Sequence, residues 1–516
     1  MDKVKYQITK HKKIFKFESD ALFFEIFGSI YNEKEVCDNL INSRGKSDLL
    51  ALIHNISGYF FLYVRNQEGE YYFNDIFGNF RLYEISEGTE KILFDEFNTY
   101  SKYRKKLSIN NVEEQYLKIH KYTTGQGTIF NEVSKMIPAS FWSLENDVLE
   151  QSIYFSTDKA YVGVDGDYES LNYELIKKNI QSGLDPNLPT VLFFSGGVDS
   201  TYLYFVLKEL NIDFRLIFIR YSVFEKDNRV DLVKVQKIAS LLGEECEILD
   251  FDIENEFDKY DQLSFSSHPF DMAFPSMYFA QDAIVKKYGR CNIINGQTSD
   301  SIYCWGNSSK SISAMIQRFL ASDRYMGSPY MFRKVIAKTL SFVYKIHWRK
   351  KDSFYIPFNW NDYLVGLLSP QGYVPIIRSC TNYREYNDYL SDIVDHVTVN
   401  LSRPEAILYM KFMYLQGTSN IMVIESANKF DHNLIMPFLD ARIVYLRMLS
   451  QSNTKDLIFP RYVLEQVMKY RFDFDPKIIA SAKKVKIEHC PSEKCLSVVI
   501  ANMYALWLKR LGNLVD

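Results

Sequence analysis

The feature that most constrains this chain is the run Val191-Leu192-Phe193-Phe194, followed at once by Ser195-Gly196-Gly197-Val198-Asp199-Ser200. A short apolar run that stops at glycines reads as a fully buried strand. The residues after it, Thr201-Tyr202-Leu203-Tyr204-Phe205-Val206-Leu207, read as a helix that opens at Ser200-Thr201. A strand that turns through Ser-Gly-Gly into a helix aims unsatisfied N–H groups, and the positive end of the helix dipole, at one point. The glycines let the backbone approach an anion closely. Ser195 and Ser200 add hydroxyls. Asp199 adds a carboxylate, which repels phosphate unless a cation lies between them. A loop built from Phe194, Ser195, Gly196, Gly197, Asp199 and Ser200 therefore suits a metal–polyphosphate pair, most simply Mg²⁺ with ATP. Gly-Gly after a strand can also be a plain turn. The full Ser-Gly-Gly-Val-Asp-Ser string is more specific. It is not a Walker loop, because no Gly-Lys-Ser/Thr follows.

The sequence around this loop alternates strands and helices. Strands are expected at 216–219, 247–251 and 291–295, with helices at 229–242 and 275–288. Such alternation predicts a parallel, doubly wound sheet whose ligands sit at the carboxyl ends of the strands. After the strand at 291–295 comes a second glycine-marked loop ending in a carboxylate, Gly296-Gln297-Thr298-Ser299-Asp300. Asp199 and Asp300 would then stand at one sheet edge, where two carboxylates can hold Mg²⁺ against phosphates. An ordinary turn or N-cap is the other reading of Asp300.

Residues 1–155 read differently. Gly58-Tyr59-Phe60-Phe61-Leu62-Tyr63-Val64 is an expected strand, Asn66-Gln67-Glu68-Gly69 a turn, and Tyr71-Tyr72-Phe73-Asn74-Asp75 the return strand. This part is expected to be mostly β. A polar helix at 168–181 and a Gly/Asp/Pro/Asn loop mark the change of pattern, giving expected domains at 1–157 and 158–516. The stretch 306–516 reads as largely helical.

Bulk properties exclude several classes. The 516 residues carry a net charge of −3, which gives no reason to expect nucleic acid or an anionic membrane as partner. The seven cysteines (Cys37, Cys246, Cys291, Cys304, Cys380, Cys490, Cys495) are scattered and form no Cys-x-x-Cys pair, so neither a disulfide framework nor a zinc site is expected. The start, MDKVKYQITKHKK, leads into no apolar stretch, and no long uncharged apolar run occurs. A cytoplasmic protein is expected. The segment 310–351 holds ten Lys and Arg residues with Asp323 as its one acid, read either as a solvated basic face or as a docking surface for an acidic peptide or glycan phosphate.

With these motifs in place the chain resembles the asparagine synthetase family. That resemblance rests on Ser195–Ser200, on Asn295–Asp300, on Pro437-Phe438-Leu439-Asp440 and on His268-Pro269-Phe270-Asp271 with Pro275. Ile56-Ser57-Gly58-Tyr59-Phe60, Asp75-Ile76-Phe77-Gly78-Asn79 and Leu82-Tyr83 are similar to the family's class II glutamine amidotransferase domain. The resemblance implies an α/β protein: a mostly-β Ntn-hydrolase-like sandwich, then a doubly wound ATP-pyrophosphatase domain with a helical C-terminal part. It implies ATP and Mg²⁺ as cofactors. It also implies a catalytic lysine within Ala482-Lys483-Lys484-Val485-Lys486, with both Lys484 and Lys486 as candidates beside Asp199 and Asp300.

The departures from the family narrow the function. Asp2 stands where a working glutaminase of this kind has its N-terminal cysteine, so no glutamine hydrolysis is expected. Gln297 and Asn433 stand where the family has glutamates, which argues against aspartate as substrate. Members without the cysteine include β-lactam synthetases and lasso-peptide cyclases. By similarity to them, the expected activity is adenylation of a peptide or small-molecule carboxylate and closure of an amide. A peptide macrolactam is the first expectation, with a partner processing enzyme. Amidation of a sugar or metabolite and a non-catalytic binding subunit are the alternatives, and an asparagine synthetase using free ammonia is disfavoured.

Overall fold

A computed structural model describes residues 3–96, 107–155, 167–221, 225–251, 276–303, 319, most of 325–339, 360–367, 383–449 and 462–482, a few positions within these spans excepted. Over these residues the chain is a mixed α/β protein with three sheets and a helical C-terminal part.

The N-terminal part holds β1 (Lys3–Gln7), β2 (Lys13–Glu18), β3 (Phe23–Ile30), α1 (Glu33–Asn42), α2 (Lys46–Ile53), β4 (Gly58–Arg65), β5 (Glu70–Asn74), β6 (Tyr83–Glu87), β7 (Glu90–Phe94), α3 (Asn111–His120), β8 (Val133–Lys135), β9 (Ser140–Glu145) and β10 (Val148–Ile153). Six antiparallel strands run in the order β10-β9-β5-β4-β3-β2, and a second sheet runs β1-β7-β6-β8. The two sheets face each other. The Tyr6 ring of β1 lies 5.5 Å from Phe61, 5.0 Å from Tyr63 and 6.2 Å from Tyr72 on the larger sheet. Only Arg65 of β4 is exposed, so this strand is the sandwich's centre rather than a half-wet strand. The hairpin read from the sequence is present: the Asn66 side-chain oxygen accepts from the N–H groups of Glu68 and Gly69, closing the turn between β4 and β5.

The second part opens with α4 (Tyr168–Gly183), whose N-cap Asp167 accepts from the N–H of Glu169. Then come β11 (Thr190–Phe193), α5 (Val198–Glu209), β12 (Phe214–Tyr221), α6 (Glu225–Leu241), β13 (Cys246–Phe251), α7 (Ser276–Tyr288), β14 (Asn292–Ile294) and α8 (Ser299–Tyr303). The described helices after them are α9 (Trp360–Leu367), α10 (Tyr383–Thr398), α11 (Arg403–Gln416) and α12 (Ser419–Lys429), followed after β15 (Asn433–Ile435) by α13 (Ala441–Leu449), α14 (Tyr462–Arg471) and α15 (Lys477–Ala482). The five strands are all parallel, in the order β13-β12-β11-β14-β15. The chain moves outward from β11 to β13, then returns past β11 to β14. The order therefore reverses at β11, and a helix follows each of β11, β12, β13 and β14 in the chain, the alternation expected from the sequence.

Two details differ from the sequence reading. The helix after β11 begins at Val198, not at Ser200-Thr201, because Gly197 takes the extended N-cap conformation and the buried Val198 already packs. β15 was not expected at all. The domain boundary expected at 157/158 falls in 156–166, outside the described residues. Packing between the two parts runs through the Pro437-Phe438-Leu439-Asp440 element: Gly58 N–H donates to the Leu439 carbonyl at 2.6 Å, and Tyr31 Oη bonds both the N–H and the carbonyl of Met436.

One carboxylate of α5 ties it to α14 and to α4. Glu209 accepts from Arg471 Nε and Nη2, each at 2.9 Å, and from Lys177 Nζ at 2.8 Å. The Arg471 guanidinium holds the Glu209 carboxyl well below its ordinary value of 4.5. A depressed folded-state pKa means the unfolded chain takes up the proton first, so this stabilisation is complete above the ordinary value and lost as pH falls below it. Urea unfolding of wild type and Glu209→Gln should therefore show a gap at about pH 7 that narrows towards about pH 3.

Candidate functional site

Open α/β sheets bind ligands in the crevice at the carboxyl ends of the strands where the order reverses, here between β11 and β14. Both marked loops end there. Phe194 is buried and donates its N–H to the Ile217 carbonyl at 2.8 Å, which fixes the start of the first loop on β12. Ser195 is exposed, Gly196 buried, and Gly197 and Asp199 half-buried. Gly196 has a φ of +59°, and a Cβ there would lie 3.2 Å from Val235 Cα of α6, so the loop needs glycine on two counts. Ser195 Oγ and Ser200 Oγ lie 3.3 Å apart, and Ser195 N–H points to Ser200 Oγ at 3.2 Å. The N-cap of α5 is Gly197, which brings no side chain to the helix start.

The second loop lies directly against the first. A Cβ on Gly296 would come 3.3 Å from Asp199 Cβ, and Ser299 Oγ donates to Asp199 Oδ1 at 2.6 Å. Asp199 in the first turn of α5 is thus held by the neighbouring strand's loop and stabilised by the helix dipole. Gln297 is half-buried, its N–H bonded to Asn295 Oδ1 at 2.8 Å. Thr298 is buried with a φ of +80°, a rare conformation for a β-branched residue, and its Oγ1 accepts from Asn420 Nδ2 at 2.9 Å. Strain of that kind gathers where a loop is held for function.

Asp300 lies in α8, so its backbone stands at the same sheet edge as Asp199; its side chain is outside the described residues. Lys484 and Lys486 also lie outside the described residues, as do His268-Pro269-Phe270-Asp271, Pro275 and Asp2. Among the described residues no group of three or more His, Cys, Asp and Glu could hold a metal. Asp199 offers one carboxylate there, and Mg²⁺ is held by one or two carboxylates with phosphate oxygens and water.

Asn433 corrects the sequence reading. It opens β15 at the amino end of the sheet, and its Nδ2 donates to Gly183 O and Asn292 Oδ1, each at 2.7 Å. It ties the edge strand to α4 and β14 and is no part of the crevice, so its identity carries no information about the substrate. Asp440 is likewise structural: fully buried, it accepts from Arg442 Nε at 3.0 Å, Arg442 Nη2 at 2.8 Å and Asn179 Nδ2 at 2.9 Å.

Sequence reasoning missed Ser299, Thr298 and Asn420. Ser299 sat inside the second motif, where attention went to Asp300. The basic stretch was only partly a charged face: in the helix at 330–336, Tyr330, Met331, Phe332 and Val335 are exposed beside Lys334.

No described cysteine is an activated nucleophile. Burial pushes the thiols of Cys37 and Cys291 up to about 11 and that of Cys246 up to about 12. None is a thiolate at neutral pH. Incubation with glutamine is expected to release no glutamate, read by a coupled dehydrogenase assay; turnover that survives Cys37→Ala would contradict that. Among the described residues no helix is long and apolar enough to cross a membrane.

No family model matches the chain, and no curated protein matches it. Among solved structures it is similar to one titled as the allosteric regulatory enzyme of purine biosynthesis, at 10% identity and a TM-score of 0.19, over 46% of this chain and 62% of the other. A second is glutamine phosphoribosylpyrophosphate amidotransferase from B. subtilis, with ADP and GMP, at 9% identity and a TM-score of 0.17, over 45% of this chain and 47% of the other. The chain thus spans less than two thirds of either, and likenesses this shallow decide neither its fold nor its activity.

Proposed function

We propose that this protein is an ATP-dependent, AMP-forming amide synthetase. What carries the reading is the meeting of two loops at the switch point: an uncapped Ser-Gly-Gly helix start after β11, and Gly296–Asp300 after β14, joined by the Ser299–Asp199 bond. A glycine loop at a helix N-terminus suits phosphate, and a carboxylate in that loop suits phosphate only with a cation between them.

In this reading the first loop's backbone and Ser195 hold the polyphosphate of ATP, and Asp199, with Asp300, holds the Mg²⁺ that neutralises the leaving pyrophosphate. The substrate carboxylate attacks the α-phosphorus and the bond to pyrophosphate breaks, giving an acyl-adenylate. An amine then attacks the acyl carbon and AMP leaves. Ser299 keeps the Asp199 carboxylate turned towards the crevice. Lys484 or Lys486 would offset the charge that develops on the phosphoryl and acyl oxygens, an interaction stronger in the transition state than with bound ATP. The amine comes from the substrate itself, with a peptide macrolactam as the favoured product. Amidation of a sugar or metabolite carboxylate is the second reading, favoured if the exposed basic and apolar helix at 330–336 proves irrelevant to binding.

The test is ATP–pyrophosphate exchange with short peptides bearing Asp or Glu side chains, set against sugar acids. Exchange with the peptides and AMP as the nucleotide product support the first reading. Exchange with sugar acids alone supports the second. ADP as product rejects both.

A further inference from the structure

Thr298 is buried at the turn of the second loop with a φ of +80°, in the left-handed region that a β-branched residue avoids. Such a conformation persists only where the surroundings hold it. Its carbonyl accepts from the N–H groups of Ser301 at 2.9 Å and Ile302 at 3.2 Å, so Thr298 opens α8. Its Oγ1 accepts from Asn420 Nδ2 at 2.9 Å, in the first turn of α12. Asn420 is fully buried, and its Oδ1 has no hydrogen-bond partner. A buried amide with one end unbonded is a poor stabiliser, and the bond that it does make goes to the strained residue. Helix α12 is itself held: Gln281 Nε2 of α7 donates to the Val423 carbonyl at 3.0 Å. The residue after Thr298 is Ser299, whose Oγ donates to the Asp199 carboxylate.

We propose that Asn420 is a positioning residue of this site: by holding Thr298 at positive φ, it sets where Ser299 meets Asp199. The inference rests on the proposed ligase reading and adds to it a residue 122 positions along the chain from Thr298, which no motif marks. Without the amide, Thr298 relaxes towards the negative φ that its branched side chain favours, and the direction of the next side chain turns with it. The hydrogen bond of the Asn420 side chain goes to the second loop, not to Ser195–Ser200, so ground-state binding of the phosphates is little affected. What suffers is the orientation of the carboxylate that meets charge developing on the leaving pyrophosphate.

ATP–pyrophosphate exchange by the full chain, followed against ATP and against Mg²⁺, tests this in wild type, Asn420→Ala, Thr298→Gly and the double variant. Asn420→Ala should lower kcat about tenfold or more and raise the half-saturating Mg²⁺, while KM for ATP stays within about threefold. Glycine takes a φ of +80° without strain, so Thr298→Gly no longer needs the amide. In that background Asn420→Ala should change kcat by less than about twofold. If Asn420→Ala does not fold, Thr298→Val serves: it keeps the branched shape, loses the hydroxyl and should show the same changes in kcat and Mg²⁺ requirement. A kcat and Mg²⁺ requirement within about twofold of wild type in Asn420→Ala, or in Thr298→Val where that serves, would overturn the role of Asn420 and leave the nucleotide site standing. So would an equal loss from Asn420→Ala in both backgrounds, because the effect would not pass through Thr298. Wild type that neither binds Mg²⁺–ATP nor catalyses exchange would remove the ligase reading and this role with it.

Discussion

Asp199→Asn is expected to lower carboxylate-dependent ATP–pyrophosphate exchange about a thousandfold or more, the effect of losing a metal ligand that stabilises transition-state charge. The fold should survive. Asn keeps the shape, its side-chain oxygen can still accept from Ser299 Oγ, and the dipole contact it gives up is worth under about 1 kcal/mol. The two quantities must therefore separate: circular dichroism and the melting temperature stay near wild type while exchange disappears. Exchange within about tenfold of wild type would make Asp199 a structural carboxylate. Ser299→Ala tests the same bond from the other side. It leaves the carboxylate in place without its orienting donor, so its loss should be smaller than that of Asp199→Asn.

The largest expected loss of stability is at Asp440. Its carboxylate is fully buried and faces a guanidinium held by the Arg442 Nε and Nη2 bonds, with Asn179 and Ser57 close by. Asp440→Ala takes from that guanidinium the carboxylate that accepts from its Nε and Nη2, and breaking a buried ion pair on one side costs about 3–5 kcal/mol. Because Ser57 bridges to Asp440 and Gly58 donates to Leu439, the damage falls where β4 meets the C-terminal part. Limited proteolysis should then cut between the two parts before either is digested. The paired change Asp440→Leu with Arg442→Met removes both charges and should recover most of the stability. A loss below about 1 kcal/mol for Asp440→Ala would place the anchor elsewhere.

These residues show what could be read in advance. β11, its loop and α5 were legible because an apolar run, two glycines and a buried helical face are local signals that agree with one another. The β4–β5 hairpin was legible from Asn66 and Gly69 for the same reason. β15 was not, since three residues give no period and become a strand only by pairing with β14. Asn433 was misjudged because a motif aligned in sequence says nothing about which end of a strand a side chain occupies.

The central claim is that the crevice between β11 and β14 holds Mg²⁺–ATP, and direct titration of the full chain tests it. Ser195 is exposed at the mouth of the loop, so Ser195→Asp leaves the core untouched while setting a negative charge where phosphate would lie. The account predicts saturable binding of ATP by wild type that requires Mg²⁺ and is abolished in Ser195→Asp. Absence of saturable binding by wild type, or equal binding by the variant, would contradict it.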